Sequence, residues 1–288
     1  MDKLTVYGNT FQGARLQEIG SFLGSLAASR HEVEIESSFA RYLRDAGVSV
    51  PAALLPVETP SPDSSLAITL GGDGTLLQAA VWSRHHPLPL LGVNTGHLGF
   101  LTAYTLGESH SLLPDLEEGT LVAEHRMMLH LSGEGVPDNV WHYAINEIAI
   151  MKADTSSMIN VRATVGGFFL ADYLADGLIV STPTGSTGYN LSVGGPIIAP
   201  DMHCITLSPV APHTLTLRPL VVGDNEPLQL ITSSRAQMCR VSLDGRSFTM
   251  DCDKSLTIHR ADRDIVIMRR AGNDFFTTLR RKLSWGSR

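Results

Sequence analysis

The chain has 288 residues, 43% of them apolar and 18% charged, with a formal net charge of −7. That length supports one large domain or two ordinary ones with real cores. The acidic balance argues against a nucleic-acid partner, which calls for a basic face, and no apolar run reaches the roughly 20 residues of a membrane span. The opening stretch Met1-Asp2-Lys3-Leu4-Thr5-Val6-Tyr7 places an acid within three residues and lacks the apolar core of a signal peptide. Cys204, Cys239 and Cys252 are widely spaced and form no CxxC pair. They read as small buried hydrophobes in a reduced, cytoplasmic setting.

Strand and helix signals alternate over the first third. Leu4 to Tyr7 is a short apolar strand, and Leu16, Ile19, Phe22, Leu23 and Leu26 fall at helical spacing. Val33 to Ile35 reads as a second strand, and Phe39 to Ala46 as a helix ending at Gly47. Leu66–Leu70 and Leu88–Val93 supply two more strands. Such alternation implies a parallel sheet with crossover helices. After about residue 122 the segments become strand-like: 127–131, 142–151, 159–165, 177–181, 215–222, 229–231, 238–243, 255–258 and 264–268, punctuated by Gly, Pro, Asn and Asp. The tail from Asp274 to Trp285 returns to helical spacing through Phe275, Leu279 and Leu283.

Between the strand Leu66–Leu70 and the apolar Leu76-Leu77 lies Gly71-Gly72-Asp73-Gly74-Thr75. The order is strand, glycine-rich turn, helix start. Glycine opens backbone angles closed to other residues and lets a ligand approach the main chain. N–H groups at a helix start face an anion with the helix dipole behind them. Gly71, Gly72, Gly74 and Thr75 are therefore candidate phosphate-binding residues, and Asp73 is a candidate proton acceptor for an alcohol attacking phosphorus. The bland reading is a tight turn with Asp73 as a helix cap. Neither a Walker A lysine motif nor GxGxxG is present, which excludes a P-loop enzyme and an ordinary dinucleotide-fold dehydrogenase.

Two further clusters carry chemistry. Asp176 to Pro196 runs from an apolar strand into a loop dense in hydroxyls and glycine, rich in small donors for phosphates or ribose. Asn146-Glu147 offers an amide for a base edge and a carboxylate for a diol, but is uninformative as an isolated dipeptide. No His/Cys/Asp spacing suggests a tightly protein-bound metal.

Taken together, these segments resemble the NAD kinases, which phosphorylate NAD to NADP. The resemblance runs through Gly71–Thr75, Asn94-Thr95-Gly96-His97-Leu98-Gly99-Phe100-Leu101, Asn146-Glu147, Asp176–Pro196, Ser208–His213 with Arg218-Pro219-Leu220, Leu243-Asp244-Gly245, and Phe275–Trp285. It implies an α/β N-terminal domain with a parallel sheet and crossover helices, an all-β C-terminal domain, and a last helix that returns to the N-terminal domain. The expected extents are 1–122 with 269–288 for the first, and 123–268 for a β-rich NAD-binding domain. The family pattern also implies NAD bound between the domains, ATP with a divalent cation such as Mg²⁺, and a homodimer or homotetramer. By that pattern Asp73 takes the proton of the adenosine ribose 2′-hydroxyl and Gly74 lies against the substrate. Asn146 and Glu147 contact the adenosine end, Asp176 the nicotinamide part, and Thr187, Tyr189 and Ser192 the adenosine and phosphates.

The chain departs from the pattern in places. Gly188 stands where Ala is common, and Arg246 stands where a polar residue, often Gln, touches the ligand. Leu174 occupies a position that differs between NAD-specific and dual NAD/NADH members, which leaves the redox state of the substrate open. Ser157 is a looser match. Two rival readings remain at this stage: a kinase of the same motif acting on a lipid or sugar phosphate, and a non-catalytic dinucleotide sensor.

Overall fold

A computed structural model of the chain describes residues 2–96, 99–153 and 158–286. Ser157, His97 and Leu98 lie outside the described residues. The chain divides into two compact units, Met1–His125 with Val266–Arg288, and Arg126–Ile265.

The first unit begins β1 (Lys3–Gly8), α1 (Leu16–Ala27), β2 (Glu32–Glu36), α2 (Ser37–Asp45), β3 (Leu54–Val57), β4 (Ser64–Leu70), α3 (Asp73–Trp82) and β5 (Leu90–Asn94). It continues through the short β6 (Tyr104–Thr105), α4 (Leu112–Glu117) and β7 (Leu121–Arg126). Helix α1 buries Ile19, Phe22, Leu23 and Leu26, the i, i+3, i+4, i+7 face expected of an amphipathic helix. Helix α2 starts where the Glu36 carboxylate accepts the N–H groups of Ser38 and Phe39. Strands β1 to β5 pair in parallel in the order β3-β2-β1-β4-β5. The chain order therefore reverses between β1 and β4. Ligands of open parallel sheets bind at such a switch point, beyond the carboxyl ends of the strands, and the glycine motif follows directly from β4.

The second unit is all antiparallel. Its strands are β8 (Leu129–Gly133), β9 (Tyr143–Ala144), β10 (Glu147–Lys152), β11 (Ile159–Val165), β12 (Phe168–Ala175), β13 (Gly177–Ser181), β14 (Cys204–Val210), β15 (Leu220–Gly223), β16 (Leu228–Ser234), β17 (Met238–Leu243), β18 (Arg246–Asp251) and β19 (Ser255–Arg260). A four-residue helix, α5 (Tyr189–Ser192), sits in the loop between β13 and β14. The strands form two six-stranded sheets, ordered β15-β14-β13-β10-β17-β18 and β12-β11-β16-β19-β8-β9. Ile148, Leu178, Val180 and Val241 from the first share one apolar core with Leu131, Val161, Leu230 and Ile258 from the second.

The chain then returns to the first unit with β20 (Ile265–Arg270) and α6 (Phe275–Leu283). β20 pairs in parallel with β5 and fills the place between β5 and β7. The strand read from the sequence over 264–268 thus belongs to the parallel sheet and not to the β-rich region. Its Arg269 is 2% exposed, ion-paired with Glu124 at 3.2 Å and donating to the Thr102 carbonyl.

Other differences have local causes. The run 142–151 is two strands, because the backbone turns out of the ladder at Ile145 and Asn146 to meet Asp244. β12, β14 and β18 escape the sequence reading. The Asp244-Gly245 pair, with φ of 47° and 83°, is a two-residue hairpin turn joining β17 to β18, with Leu243 opposite Arg246. An Asp-Gly followed by the alternating Arg246-Ser247-Phe248-Thr249-Met250 is a strand signal that was there to be read.

Because β20 is an interior strand of the first sheet, residues 1–125 alone should lack a cooperative thermal transition, whereas the full chain shows one by circular dichroism. A fragment 1–125 that melts cooperatively would contradict this placement.

Candidate active site

In the first unit, Leu70 closes β4 and Gly71 takes φ of 152°, outside the range of ordinary residues. A Cβ there would overlap the Thr75 hydroxyl, and the Asn9 amide lies against the same spot, donating to Thr75 Oγ1 at 2.8 Å. Asn9 belongs to the loop after β1, which is also fastened to β4 by Gln12 Nε2 donating to the Leu70 carbonyl at 2.8 Å. The two loops at the switch point are thus pinned together. They enclose a pocket of about 520 Å³ lined by Asn9, Phe11, Ser38, Gly72, Gly74 and Thr75. Among the described residues, and apart from chain neighbours and the backbone of α3, no atom stands within 4 Å of a Cβ built on Gly72 or Gly74.

Asp73 opens helix α3, and Gly72 precedes it as the cap residue. The Asp73 side chain does not cap its own helix. Its Oδ2 accepts the Phe100 N–H at 2.8 Å and its Oδ1 the Leu101 N–H at 3.0 Å, with the Lys282 ammonium 3.6 Å from Oδ2. A Cβ at Gly99 would overlap the carboxylate, which explains the glycine in Gly99-Phe100-Leu101. The bland cap reading of Asp73 is thereby replaced by a carboxylate fixed in direction by backbone donors.

In the second unit, Asp244 is the organising group. Its carboxylate accepts the N–H groups of Ile145, Asn146 and Glu147 at 2.7, 2.8 and 3.0 Å. The loop after β13 packs on the same turn. Thr182 donates its N–H to the Asn146 carbonyl and its hydroxyl to the Ile145 carbonyl. A Cβ on Gly185 would overlap the Asn146 carbonyl, so only glycine fits there. The loop is braced from within by buried Asn190, which donates to Ser186 and Pro196 and accepts from Ser208 at 2.6 Å. Asn146 Oδ1 and Glu147 Oε2 are shut off from solvent, and neither has a hydrogen-bond partner among the described residues. Buried polar atoms are normally paired, so these two are acceptors still open to a partner.

Burial pushes the Glu147 carboxyl up to about 7, and the neighbouring charge of Asp244 adds to this against one backbone donor from Tyr189. Burial also raises Asp244, opposed by its three backbone donors and by Arg246.

Two family models match, the ATP-NAD kinase N-terminal domain over residues 59–121 and the ATP-NAD kinase C-terminal domain over 145–269. The NAD kinase of Bacteroides fragilis is 40% identical over 286 residues, covering 99% of this chain and 98% of that one. The NAD kinase of Porphyromonas gingivalis is 38% identical over 287 residues, covering 100% and 99%. The chain belongs to the NAD kinase family. It is a phosphotransferase that converts NAD to NADP, which replaces the lipid-kinase, sugar-kinase and sensor readings. Among solved structures, an NAD kinase from Archaeoglobus fulgidus in complex with ATP superposes with a TM-score of 0.73 at 27% identity, covering 99% of both chains. Yeast NADH kinase complexed with NADH gives 0.87 at 22% identity, covering 100% of this chain and 89% of that one, and speaks to the fold.

The residues expected of this NAD kinase's site fall into groups. Gly71, Gly72, Asp73, Gly74 and Thr75 sit together at the switch point. In the second unit Asn146, Glu147, Thr187, Gly188 and Tyr189 sit together. A Cβ on Gly188 would stand 3.1 Å from Glu147 Oε2, so the common Ala needs only a small local shift. Tyr189 and Ser192 are exposed, and the Ser192 hydroxyl donates back to the Tyr189 carbonyl. Arg246 donates to the Trp141 and Tyr143 carbonyls at 2.7 and 2.6 Å and stacks over the Trp141 ring, so these contacts hold its guanidinium against the protein. Asp176 lies at the other end of β13, paired with Lys152 at 2.6 Å, and shares a pocket of about 640 Å³ with Leu174 and His213. Asp176 and Ser181 are five residues apart along β13, roughly 17 Å at ~3.3 Å per residue. Asp244 received no role from the sequence beyond its place in a motif. Its signal is the Asp-Gly turn, but its three backbone partners, 97 to 99 residues away in sequence, are visible only in the fold.

The Glu147 shift fixes a stability profile. Between about pH 4.5 and 7 the folded protein keeps a proton on Glu147 that the unfolded chain has lost. Stability from this group is therefore highest below about 4.5 and falls as pH rises to about 7. Glu147→Gln removes the loss, so its stability relative to wild type should improve by about 2 to 3 kcal/mol between pH 5 and pH 8. Urea titrations at both pH values check this; an unchanged difference would contradict the shifted Glu147.

Proposed function

We propose that the enzyme transfers the γ-phosphoryl group of ATP to the adenosine ribose 2′-hydroxyl of NAD, with Asp73 as the proton acceptor. The observation that carries this reading is the Asp73 carboxylate, held by two backbone N–H groups beside an open glycine-lined pocket at the switch point. Each carboxylate oxygen has more than one acceptor site, so Asp73 Oδ1 can take the hydroxyl proton while keeping its Leu101 bond. The first turn of α3 offers the backbone N–H groups of Gly72 and Gly74, the Thr75 hydroxyl and the positive end of the helix dipole to the phosphates. Catalysis is then mainly positioning and preorganised charge.

Asn146 and Glu147 hold the adenosine end. The buried Glu147 carboxyl accepts from a ribose hydroxyl when ionised and can also donate when protonated, and the orphaned Asn146 Oδ1 accepts from an amine or hydroxyl. Thr187, Gly188 and Tyr189 line the same place. Leu174 and Asp176 serve the nicotinamide end. Ser157 keeps only its family-based expectation. Arg246 acts indirectly, by holding the segment 141–143 and facing Asp244.

The divalent cation, Mg²⁺ by preference, fits as a passenger on the triphosphate. The pocket's own donors are neutral oxygens of Asn9, Thr10, Ser38, Thr75 and Gln78, a set that suits a cation whose ligands come mostly from phosphate and water. Bound there, it neutralises developing charge on the phosphates. The roughly 17 Å between Asp176 and the Asn146–Glu147 end of the same strand pair supports a homodimer or homotetramer, with Asp176 of one copy serving the dinucleotide held by another. A cytoplasmic setting goes with this substrate pair and the free thiols.

Asp73→Asn should fold normally yet lose turnover by on the order of 10² or more. The measurement is NADP(H) formation, crossing NAD and NADH with ATP and polyphosphate, with and without EDTA. Near-native turnover by Asp73→Asn would sink the assigned role, and turnover untouched by EDTA would sink the cation. For the assembly, mixing inactive Asp73→Asn with inactive Asp176→Ala should restore activity; no recovery on subunit exchange would count against the shared site.

A further inference from the structure

We propose that Lys282 is a positioning residue that holds the Asp73 carboxylate for proton transfer; this rests on the proton-acceptor reading of Asp73. Its Nζ stands 3.6 Å from Asp73 Oδ2 and 4.6 Å from the centroid of the Phe100 ring. The N–H of that same Phe100 donates to the same Oδ2. The ammonium and the backbone donor therefore converge on one carboxylate oxygen, and the Phe100 ring flanks the ammonium.

The helix that carries Lys282 is built to deliver it. The Asp274 side chain caps α6 by accepting the Thr277 N–H at 2.7 Å. Phe275 packs on Phe100 with centroids 6.3 Å apart, and Thr278 and Leu279 are the buried residues of α6. Residues 275, 278, 279 and 282 follow the i, i+3, i+4, i+7 spacing of one helix face. In the basic run Arg280-Arg281-Lys282, helical phase thus selects Lys282 alone for the Asp73 side. Arg280 instead donates back to Thr277 Oγ1. Lys282 itself stays partly exposed, on the helix face that carries Phe275, Thr278 and Leu279.

In the transfer, the ribose O–H proton passes to Asp73 as the ribose O–P bond forms and the P–O bond to ADP breaks. Lys282 fixes Oδ2, which leaves Oδ1 as the oxygen presented to the hydroxyl. Lys282 touches no reacting atom in this scheme and works through Asp73.

The test is a double-mutant cycle on steady-state NADP formation by the full-length enzyme, with thermal unfolding measured alongside. Lys282→Met should lower kcat about tenfold and move KM for NAD by less than about threefold. Lys282→Arg should keep kcat within about threefold of wild type, because charge and reach are retained. The double variant with Asp73→Asn should be no slower than Asp73→Asn alone, since both act through one group. Wild-type kcat in Lys282→Met, or a multiplicative loss in the double variant, overturns the proposal. If Lys282→Met unfolds, Lys282→Arg decides: a folded protein with kcat down tenfold also overturns it. An Asp73→Asn enzyme that still turns over marks the failure of the proton-acceptor reading itself. Loss in Asp73→Asn with full activity in Lys282→Met marks the failure of this inference alone.

Discussion

Asp244 and the three backbone N–H groups it collects are the constraint on which the second unit's chemistry depends. A carboxylate drawn out of water is costly unless its lone pairs are met. Ile145, Asn146 and Glu147 meet them, and in doing so bend the chain out of the β-ladder between β9 and β10. That bend turns Asn146 and Glu147 toward the loop after β13, and the carbonyls it frees are taken by Thr182. Gly185 then allows that loop to lie against the Asn146 carbonyl. The result is a pair of buried polar atoms, Asn146 Oδ1 and Glu147 Oε2, with no partner among the described residues.

The first unit uses the same device with a different outcome. Asp73 also collects backbone N–H groups, from Phe100 and Leu101, and also depends on a glycine, Gly99, for the approach. Here the carboxylate stays partly open to solvent and a lysine stands beside it. Asp244 has both carboxylate oxygens occupied by three backbone donors, while Asp73 is held by two and faces an ammonium. The surrounding donors, not residue type, separate the two carboxylates. Burial explains Glu147: enclosed beside a second carboxylate, its acid is weakened to about 7, a range in which a group can either donate or accept near neutral pH.

Much of this was legible from the residues. The alternation over the first third identified a parallel sheet, because crossover connections require helices between parallel strands. Gly71–Thr75 marked the turn between β4 and α3, since strand, glycine turn and helix start are adjacent in sequence. The hydroxyl-rich loop from Asp176 pointed to a polar ligand. Less was legible where the determinants were distant. β12 carries the exposed Phe168 and Phe169 at its start and breaks the polar–apolar alternation. β14 is buried along nearly its whole length yet carries Thr206, Ser208 and Pro209, and a proline inside a run argues against an interior strand. Arg246 stands at a motif position where a ligand contact is expected, and only the fold shows that its guanidinium also donates to the carbonyls of Trp141 and Tyr143.

By itself, the sequence determined the local elements, the glycine turns and the family to which they belong, because each is written in residues a few positions apart. The tertiary structure decided which groups face one another. It assigned β20 to the first sheet by pairing Ile267 with Leu90, 177 residues away in sequence. It brought Lys282 to Asp73 and Asp244 to Asn146. Those pairings are set by chain topology and by the need to satisfy buried charge, and no local pattern encodes either.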